Sequence, residues 1–454
     1  MLESFPDLGR VHAERLTLPA PDDEFFARLH GLSHVALLDS AAGGRFTVVG
    51  CSPLARMTWT PRGGNVQMPG GPQEPEDDLK ALLRGGFEAT ALHGAGPLPF
   101  GPGWIGQLGY GLRVAFEDVP DRHPDESDIA DLDLAYYPAV AVYDAGDQTW
   151  WLTWRDGTDD VARTLHARLN HAFPTPPGGV TAPAVARIEP EVYLESVRRA
   201  VEYIHAGDVF QVNYAHEFRA PYQGDPLALY LRLRRLNPAA FGAFLDLGGD
   251  RAVLSTSPEL FLSLREGTVV TRPIKGTRPR GADPKEDEAL KEELLASEKD
   301  AAELAMIIDL ERNDLGRTCL TGSVAVTEER RVETYASVHH LVATVTAELD
   351  PNCDRVDLIE ATFPGGSITG APKIRAMEII DELEANRRGP YTGSIGIFGD
   401  DGSLELNIAI RTVVLARGEA RVHVGGGIVA DSDPEAEYQE TLAKGDTIFR
   451  ALTP

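Results

Sequence analysis

A chain of 454 residues is too long for one small core, so its length implies two or three domains or one large composite one. Its composition, 43% hydrophobic and 25% charged, is that of a soluble globular protein. A formal net charge of −27 argues against a nucleic-acid binder, which needs basic patches, although a local arginine cluster can still attract a small anion.

In chain order, short strands are predicted at 35–39 and 46–49, a helix at 75–83, strands at 139–143 and 149–154, and a helix at 159–172. Residues 173–186, Phe-Pro-Thr-Pro-Pro-Gly-Gly-Val-Thr-Ala-Pro-Ala-Val-Ala, break every periodic pattern. They read as a linker between an N-terminal region, 1–172, and a C-terminal domain, 187–454. Beyond it come a helix at 190–206, a strand at 210–218, a helix at 226–236, strands at 241–247, 252–256 and 260–264, and one long helix from about 284 to 310. Strands follow at 323–327, 394–398, 404–412 and 421–424, with helices at 354–362, 371–385 and 434–443. Strands and helices alternate in runs and not as strict βαβ units, so the expected fold class is a layered α+β one.

Cys51, Cys319 and Cys353 are odd in number and far apart, so neither a disulfide framework nor a paired-cysteine zinc site is expected. Met1-Leu-Glu-Ser-Phe-Pro-Asp7 lacks the basic start and apolar run of a signal peptide, and no run of about 18 apolar residues appears. The expected compartment is a reducing cytoplasm, with neither nucleic acid nor membrane as a partner.

Two glycine motifs fail on inspection. Gly101-Pro-Gly-Trp-Ile-Gly106 fits a dinucleotide fingerprint, but a proline-rich loop precedes it and Gly109 and Gly111 follow where a helix should begin. Closely packed strands are the better reading. Gly365-Gly-Ser-Ile-Thr-Gly-Ala-Pro-Lys373 is no Walker loop, because its lysine stands three residues past Gly370. It reads as an anion-binding turn with Pro372 in the first turn of a helix.

Lys275 lies in Thr271-Arg-Pro-Ile-Lys-Gly-Thr-Arg-Pro-Arg-Gly281, a strand-like run that breaks at Gly276. Burial or the positive charge of Arg272, Arg278 and Arg280 would make its amine a nucleophile by favouring loss of the proton. Glu259, in Ser257-Pro-Glu259, ends one strand as Lys275 ends a later one, which suits an acid–amine pair across a cleft. Glu303 sits in an almost wholly apolar run, so its carboxylate must be paired, protonated or on a metal. Glu437, Glu440 and Lys444 share one face of a helix capped by Asp433, just after Gly425-Gly-Gly427. Glu303, Glu437 and Glu440 together would give an oxygen-rich site suited to Mg2+.

Taken together, these segments resemble the chorismate-utilising enzymes. The resemblance rests on Phe210-Gln-Val-Asn213, Ser257-Pro-Glu259, Pro273-Ile-Lys-Gly-Thr277, Asp309-Leu-Glu-Arg-Asn-Asp314 and His339-His-Leu-Val342. It continues in Phe363-Pro-Gly-Gly-Ser-Ile-Thr-Gly-Ala-Pro-Lys373, Asn407-Ile-Ala-Ile-Arg-Thr412 and the glycine-rich segment 425–438. The match spans roughly residues 190–450. It is looser before that, through Leu37-Leu-Asp-Ser40, Arg45-Phe-Thr-Val-Val-Gly50 and Gly103-Trp-Ile-Gly106.

The resemblance implies two intertwined layered subdomains with antiparallel-rich sheets flanked by helices. It implies Mg2+ held at Glu303 and Glu440, with Glu437 close by. Arg411, Tyr391, Lys444 and the backbone at Gly426 and Gly427 match groups that hold the substrate carboxylates, and Arg312 and His340 match positions near the ring. Lys275 would add to ring C2 while Glu259 protonates the departing 4-hydroxyl. Ammonia would then attack C4 and expel the lysine. Gln211 matches the ammonia-using members, where water-using relatives usually carry a lysine, and Thr277 belongs to the same constellation.

Within the family the residues favour the branch that makes 4-amino-4-deoxychorismate, for 4-aminobenzoate and folate synthesis. The alternative is the branch that makes anthranilate, which usually has alanine in place of Lys275 and a different glycine turn. Leu38, Asp39 and Ser40 resemble the tryptophan-feedback element of the latter branch, with Asp for Glu, and are a candidate tryptophan site. The chain has no visible Cys–His–Glu amidotransferase module, so a separate glutaminase subunit is expected to supply ammonia from glutamine. The chain ends at Pro454, so no fused lyase is expected.

Overall fold

Most strands have both faces covered, the exposed ones lying at or near the sheet edges, as Val11–Leu16 and Ala325–Thr334 do, and this sets the architecture. The structure is a computed structural model that describes residues 5–453 except 7, 69–70, 73–74, 93–99, 175–178, 180–181 and 336–337. The expected linker at 173–186 therefore lies partly outside the described residues. Among the described residues there are two twelve-stranded sheets, and every strand pairing is antiparallel.

The first sheet runs Val11–Leu16, Thr149–Arg155, Ala139–Asp144, Phe46–Gly50, Ala36–Asp39, Phe241–Gly248, Arg251–Ser257, Thr412–Ala416, Glu419–Ile428, Gln211–Pro221 and Val185–Ala186. The second runs Ile274–Pro279, Val338–Glu348, Thr268–Arg272, Leu260–Arg265, Leu404–Asn407, Ser394–Gly399, Gly103–Leu108, Leu132–Tyr137, Ala55–Thr60, Gly63–Met68 and Gly71–Pro72. Each sheet draws strands from both sides of residues 173–186. The seams are Ala36–Asp39 on Phe241–Gly248 in one sheet and Gly103–Leu108 on Ser394–Gly399 in the other. The fold is the expected α+β, with each sheet built from a block of N-terminal strands joined to a block of C-terminal strands at one seam.

The sheets face each other through Val142, Leu245 and Val253 of the first and Ile105, Ile395 and Ile397 of the second. The outer face of the first is covered by the helices Asp159–Leu169, Pro226–Leu236 and Pro434–Ala451. That of the second is covered by Leu79–Thr90, Glu298–Leu315 and Arg355–Thr362. Pro190–His205 and Lys373–Leu383 pack over the end of the first sheet against Val212, Tyr214 and Ile428. None of the described helices is both long and apolar enough to cross a membrane.

Local chemistry explains where the elements differ from expectation. The helix expected at 75–83 begins at Leu79, because Asp78 accepts from the Lys80 and Ala81 amides at 2.8 and 3.3 Å, and it runs to Thr90. The long helix expected at 284–310 is two, Pro284–Ala296 and Glu298–Leu315. Between them Ser297 takes extended backbone and caps the second through Asp300 N at 3.2 Å. The strand expected at 404–412 is two strands in different sheets. Gly103 and Gly106 pack against neighbouring backbone, where a Cβ would stand 2.4 Å from Phe398 O and 2.0 Å from Asp133 O, so this is glycine-rich sheet and no nucleotide loop.

Candidate active site

At two adjacent places where the chain crosses from one sheet to the other, the crossing carries a candidate site residue. Arg251–Ser257 lies in the first sheet and Leu260–Arg265 in the second, with Pro258 and Glu259 between them. Leu404–Asn407 lies in the second and Thr412–Ala416 in the first, with Arg411 just before the return. The crossings are laced together by Ser257 Oγ donating to Ile408 O at 2.6 Å, Ile408 N to Glu259 O at 3.0 Å and Thr256 N to Arg411 O at 3.1 Å. Arg411 adopts φ +51°, a left-handed backbone that bulky residues rarely take, so the lacing holds a strained residue in place.

Lys275 enters from the strand Ile274–Pro279 at the edge of the second sheet. Gly276 does not end that strand. It forms a bulge at φ +72°, where the register against Val338–Glu348 shifts between Lys275 and Thr277. The expected crowd of arginines around Lys275 is also corrected. Arg272 pairs with Glu333, Arg278 with Glu293 and Asp300, and Arg280 with Asp287. Burial is what lowers the proton affinity of the Lys275 amine, against the pull of Glu303 and Glu259. The amine donates to Ser367 O at 3.1 Å.

Burial acts on Glu259 in the opposite sense. It raises the carboxyl above its usual range, although the Ser367 hydroxyl, Lys275, the Ile274 amide and Arg411 all favour the charged form. The Ile274 amide donates to Glu259 Oε1 at 3.4 Å. Lys275 and Glu259 thus meet at one turn, Gly366–Ile368, through Ser367, a residue the sequence reading passed over inside its anion-binding motif. That motif is itself corrected. Pro372 caps the helix Lys373–Leu383 from outside, and Lys373 points inward to Asp314 and donates to Thr362 O at 2.7 Å.

The three glutamates converge on the same cleft. Glu303 is raised mainly by burial, and both Lys275 and Glu440 lie close enough to bias it. Glu437 is raised by burial and by Glu440, while Ser432 Oγ donates to its Oε1 at 2.6 Å. Burial pushes Glu440 up, but Lys444 at 2.7 Å pulls it below its usual range. A Cβ on Gly426 would stand 3.3 Å from Glu437 Oε2 and 3.9 Å from Glu440 Oε1, so glycine opens this side of the cleft. Lys444 also donates to Gly425 O at 3.2 Å, and Lys299 lies 3.9 Å from Glu303. As the side chains stand, no cluster of three or more acidic, histidine or cysteine side chains among the described residues is tight enough to hold a metal. The donor chemistry nevertheless fits a hard cation, since three carboxylates share one cleft and both Glu303 and Glu437 feel the charge of Glu440.

On neighbouring strands Gly427 stands opposite Asn213, and the Gln211 side chain lies diagonally beside it. A Cβ on Gly427 would stand 2.8 Å from Gln211 Nε2, and both amide atoms of Gln211 are buried without a partner. His340 lies across from Thr277, with Nδ1 2.9 Å from Thr277 Oγ1. Burial, with Arg411 adding to it, pushes His340 down to about 3, so its ring is neutral, and its buried Nε2 has no partner. Tyr391 is buried and stacks on His423 with ring centroids 5.4 Å apart.

Two predicted positions lie apart from this cleft. Arg312 follows Glu303 by nine residues, about half a turn round the same helix, so it faces solvent and pairs with Asp309 at 2.9 Å. Leu38, Asp39 and Ser40 lie on and just after Ala36–Asp39, against Phe241–Gly248. Asp39 accepts from Arg234 Nε at 2.7 Å and Tyr230 OH at 3.0 Å, and its Oδ1 is unpartnered.

A lysine amine and a buried acid that share Ser367, beside a cluster of glutamates, suit an enzyme that works on a small anionic molecule. Residues 72–450 match the chorismate binding enzyme family, and the chain belongs to it, as an enzyme that acts on chorismate. It is 42% identical to anthranilate synthase component 1 of Thermus thermophilus, over 92% of this chain and 91% of that one. It is 40% identical to aminodeoxychorismate synthase component 1 of Salmonella typhimurium, over 96% and 98%. Among solved structures, anthranilate synthase component I of Streptococcus pneumoniae superposes with a TM-score of 0.80 at 31% identity, covering 90% of this chain and 92% of that one.

Proposed function

We propose that this enzyme aminates chorismate at ring C4 to give 4-amino-4-deoxychorismate, as the chorismate-binding component of an aminodeoxychorismate synthase. The observation that carries the reading is the buried Lys275 amine beside the buried acid Glu259, both touching Ser367. Burial lowers the proton affinity of the amine and raises that of the acid, the directions that a nucleophile and a general acid require. The Lys275 amine forms a bond to C2, the ring double bonds shift, and the 4-hydroxyl leaves as water with the Glu259 proton. Ammonia then bonds to C4, the bonds shift back and the C2–nitrogen bond breaks, returning lysine as the leaving amine.

Arg411, Tyr391, Lys444 and the amides of Gly426 and Gly427 hold the two substrate carboxylates. Neutral His340 and Thr277 line the ring, and Gln211 lies where ammonia approaches. Glu303 and Glu440, with Glu437, would hold Mg2+, which when bound withdraws charge from the substrate carboxylate. A separate glutaminase supplies the ammonia. Leu38, Asp39 and Ser40, with the free Asp39 Oδ1, are where a tryptophan site would lie.

Anthranilate formation is the second reading, favoured by the 42% identity to a relative of that name. Purified protein with chorismate, Mg2+ and ammonium separates the two. A product that an added lyase converts to 4-aminobenzoate supports the proposal, and fluorescent anthranilate as the main product overturns it.

A further inference from the structure

The helix Glu298–Leu315 reaches the cleft twice. Glu303 is among the glutamates, and two turns later Leu310 and Glu311 press on the turn Gly366–Ile368. Glu311 is buried, and its Oε1 accepts from the Gly366 amide at 3.0 Å. A Cβ on Gly366 would stand 2.6 Å from Leu310 Cδ2 and 3.1 Å from Glu311 Oε1, so the turn seats directly on the helix. The next residue is Ser367, whose carbonyl takes the Lys275 amine at 3.1 Å and whose hydroxyl reaches Glu259. No other residue described above touches both.

We propose that Glu311 is a positioning residue that pins the Gly366 amide and so fixes Ser367 between the Lys275 amine and the Glu259 acid. The inference rests on the reading of those two as the reacting pair. A carboxylate buried on an apolar helix face is costly unless its hydrogen bond does something. Here one oxygen is spoken for by Gly366 and Oε2 has no partner. Burial pushes the group up to about 7, with Lys373 opposing and Asp314 and Glu259 adding to the rise. Lys373 is itself held by Asp314 and Thr362 O and makes no hydrogen bond to Glu311. The amide of Gly366 is therefore the specific contact of this side chain. Reacting geometry tolerates little slack, and a displacement of about 1 Å costs on the order of a hundredfold in rate.

The test compares E311A and E311Q with wild type for chorismate consumption, whichever product forms. In E311A kcat falls about tenfold or more while KM for chorismate changes by less than about twofold, because Ser367 touches the reacting groups and not the carboxylate holders. E311Q recovers most of that loss, since its amide oxygen accepts the same Gly366 N–H. A folded E311A with wild-type kcat, a loss carried by KM, or an E311Q as impaired as E311A would each overturn the assignment. If E311A does not fold, G366A takes its place, and the same kcat loss is expected from pushing the turn off the helix. The rate at which a lysine-directed acylating reagent labels Lys275, read by mass spectrometry, is measured alongside. It reports amine placement without turnover, so it still decides the role of Glu311 if a K275A control keeps activity and the covalent reading fails.

Discussion

In the proposed mechanism one cause, burial, acts on Lys275 and Glu259 in opposite directions. Burial removes charge from an amine and from an acid alike, so the pair holds a single proton at two sites of converging affinity. Gaining a second proton at low pH, or losing the one at high pH, silences the pair. The pH profile of kcat is therefore a bell, with limbs closer together than the ordinary values of 4.5 and 10.5 would place them. Glu259→Gln lowers kcat by about 10²–10⁴-fold and turns the bell into a single limb rising with pH, because only the amine still titrates. An alkaline limb persisting in that variant would remove Glu259 from the role of acid. Lys275→Ala abolishes most amination and lets some anthranilate appear, read by its fluorescence; unchanged amination would take Lys275 out of the mechanism. Lys275 and Glu259 were legible in sequence through the Lys-Gly and Ser-Pro-Glu segments, although Gly276 is a bulge inside its strand and Glu259 is buried. Ser367 and Glu311 were not, since each acts only through a contact made across the fold.

At the scale of the element, spacing carried the acidic site and failed Arg312. Glu437, Glu440 and Lys444 fall on one face of Pro434–Ala451 as their three- and four-residue spacing requires, and Gly426 leaves them room. The same periodicity sends Arg312 to the far side of the helix from Glu303, which the sequence pattern contained and the motif obscured. Glu440→Gln raises the Mg2+ concentration for half-maximal activity at least as much as the about 10–100-fold typical of outer metal partners, and weakens Mg2+ binding in calorimetry. Full activity without metal would defeat the assignment. Gly427→Ala sets a methyl 2.8 Å from Gln211 Nε2. Its overpacking costs about 1–3 kcal/mol in thermal unfolding and lowers turnover with ammonium. Wild-type turnover would place Gln211 outside the ammonia path.

At the scale of the molecule, the proline-rich segment misleads if it is taken as a border between independent units. Strand-rich stretches were visible because turns and β-branched runs are local, but which strands pair across more than a hundred residues is set by the two-sheet core. Gly103–Leu108 is buried along its whole length, so it shows no alternation to read, and its partner Ser394–Gly399 lies far along the chain. Each half would expose a sheet edge if it folded alone. Expressed separately, a piece ending near residue 174 and one beginning near 182 are expected to be insoluble or unfolded by circular dichroism. Co-expressed, they are expected to copurify, unfold in one cooperative transition and consume chorismate, because the pairings Ala36–Asp39 with Phe241–Gly248 and Gly103–Leu108 with Ser394–Gly399 rebuild both sheets. A C-terminal piece that folds and turns over chorismate by itself would contradict this, since Glu259 and Arg411 are held where the chain passes between two sheets that neither piece can complete.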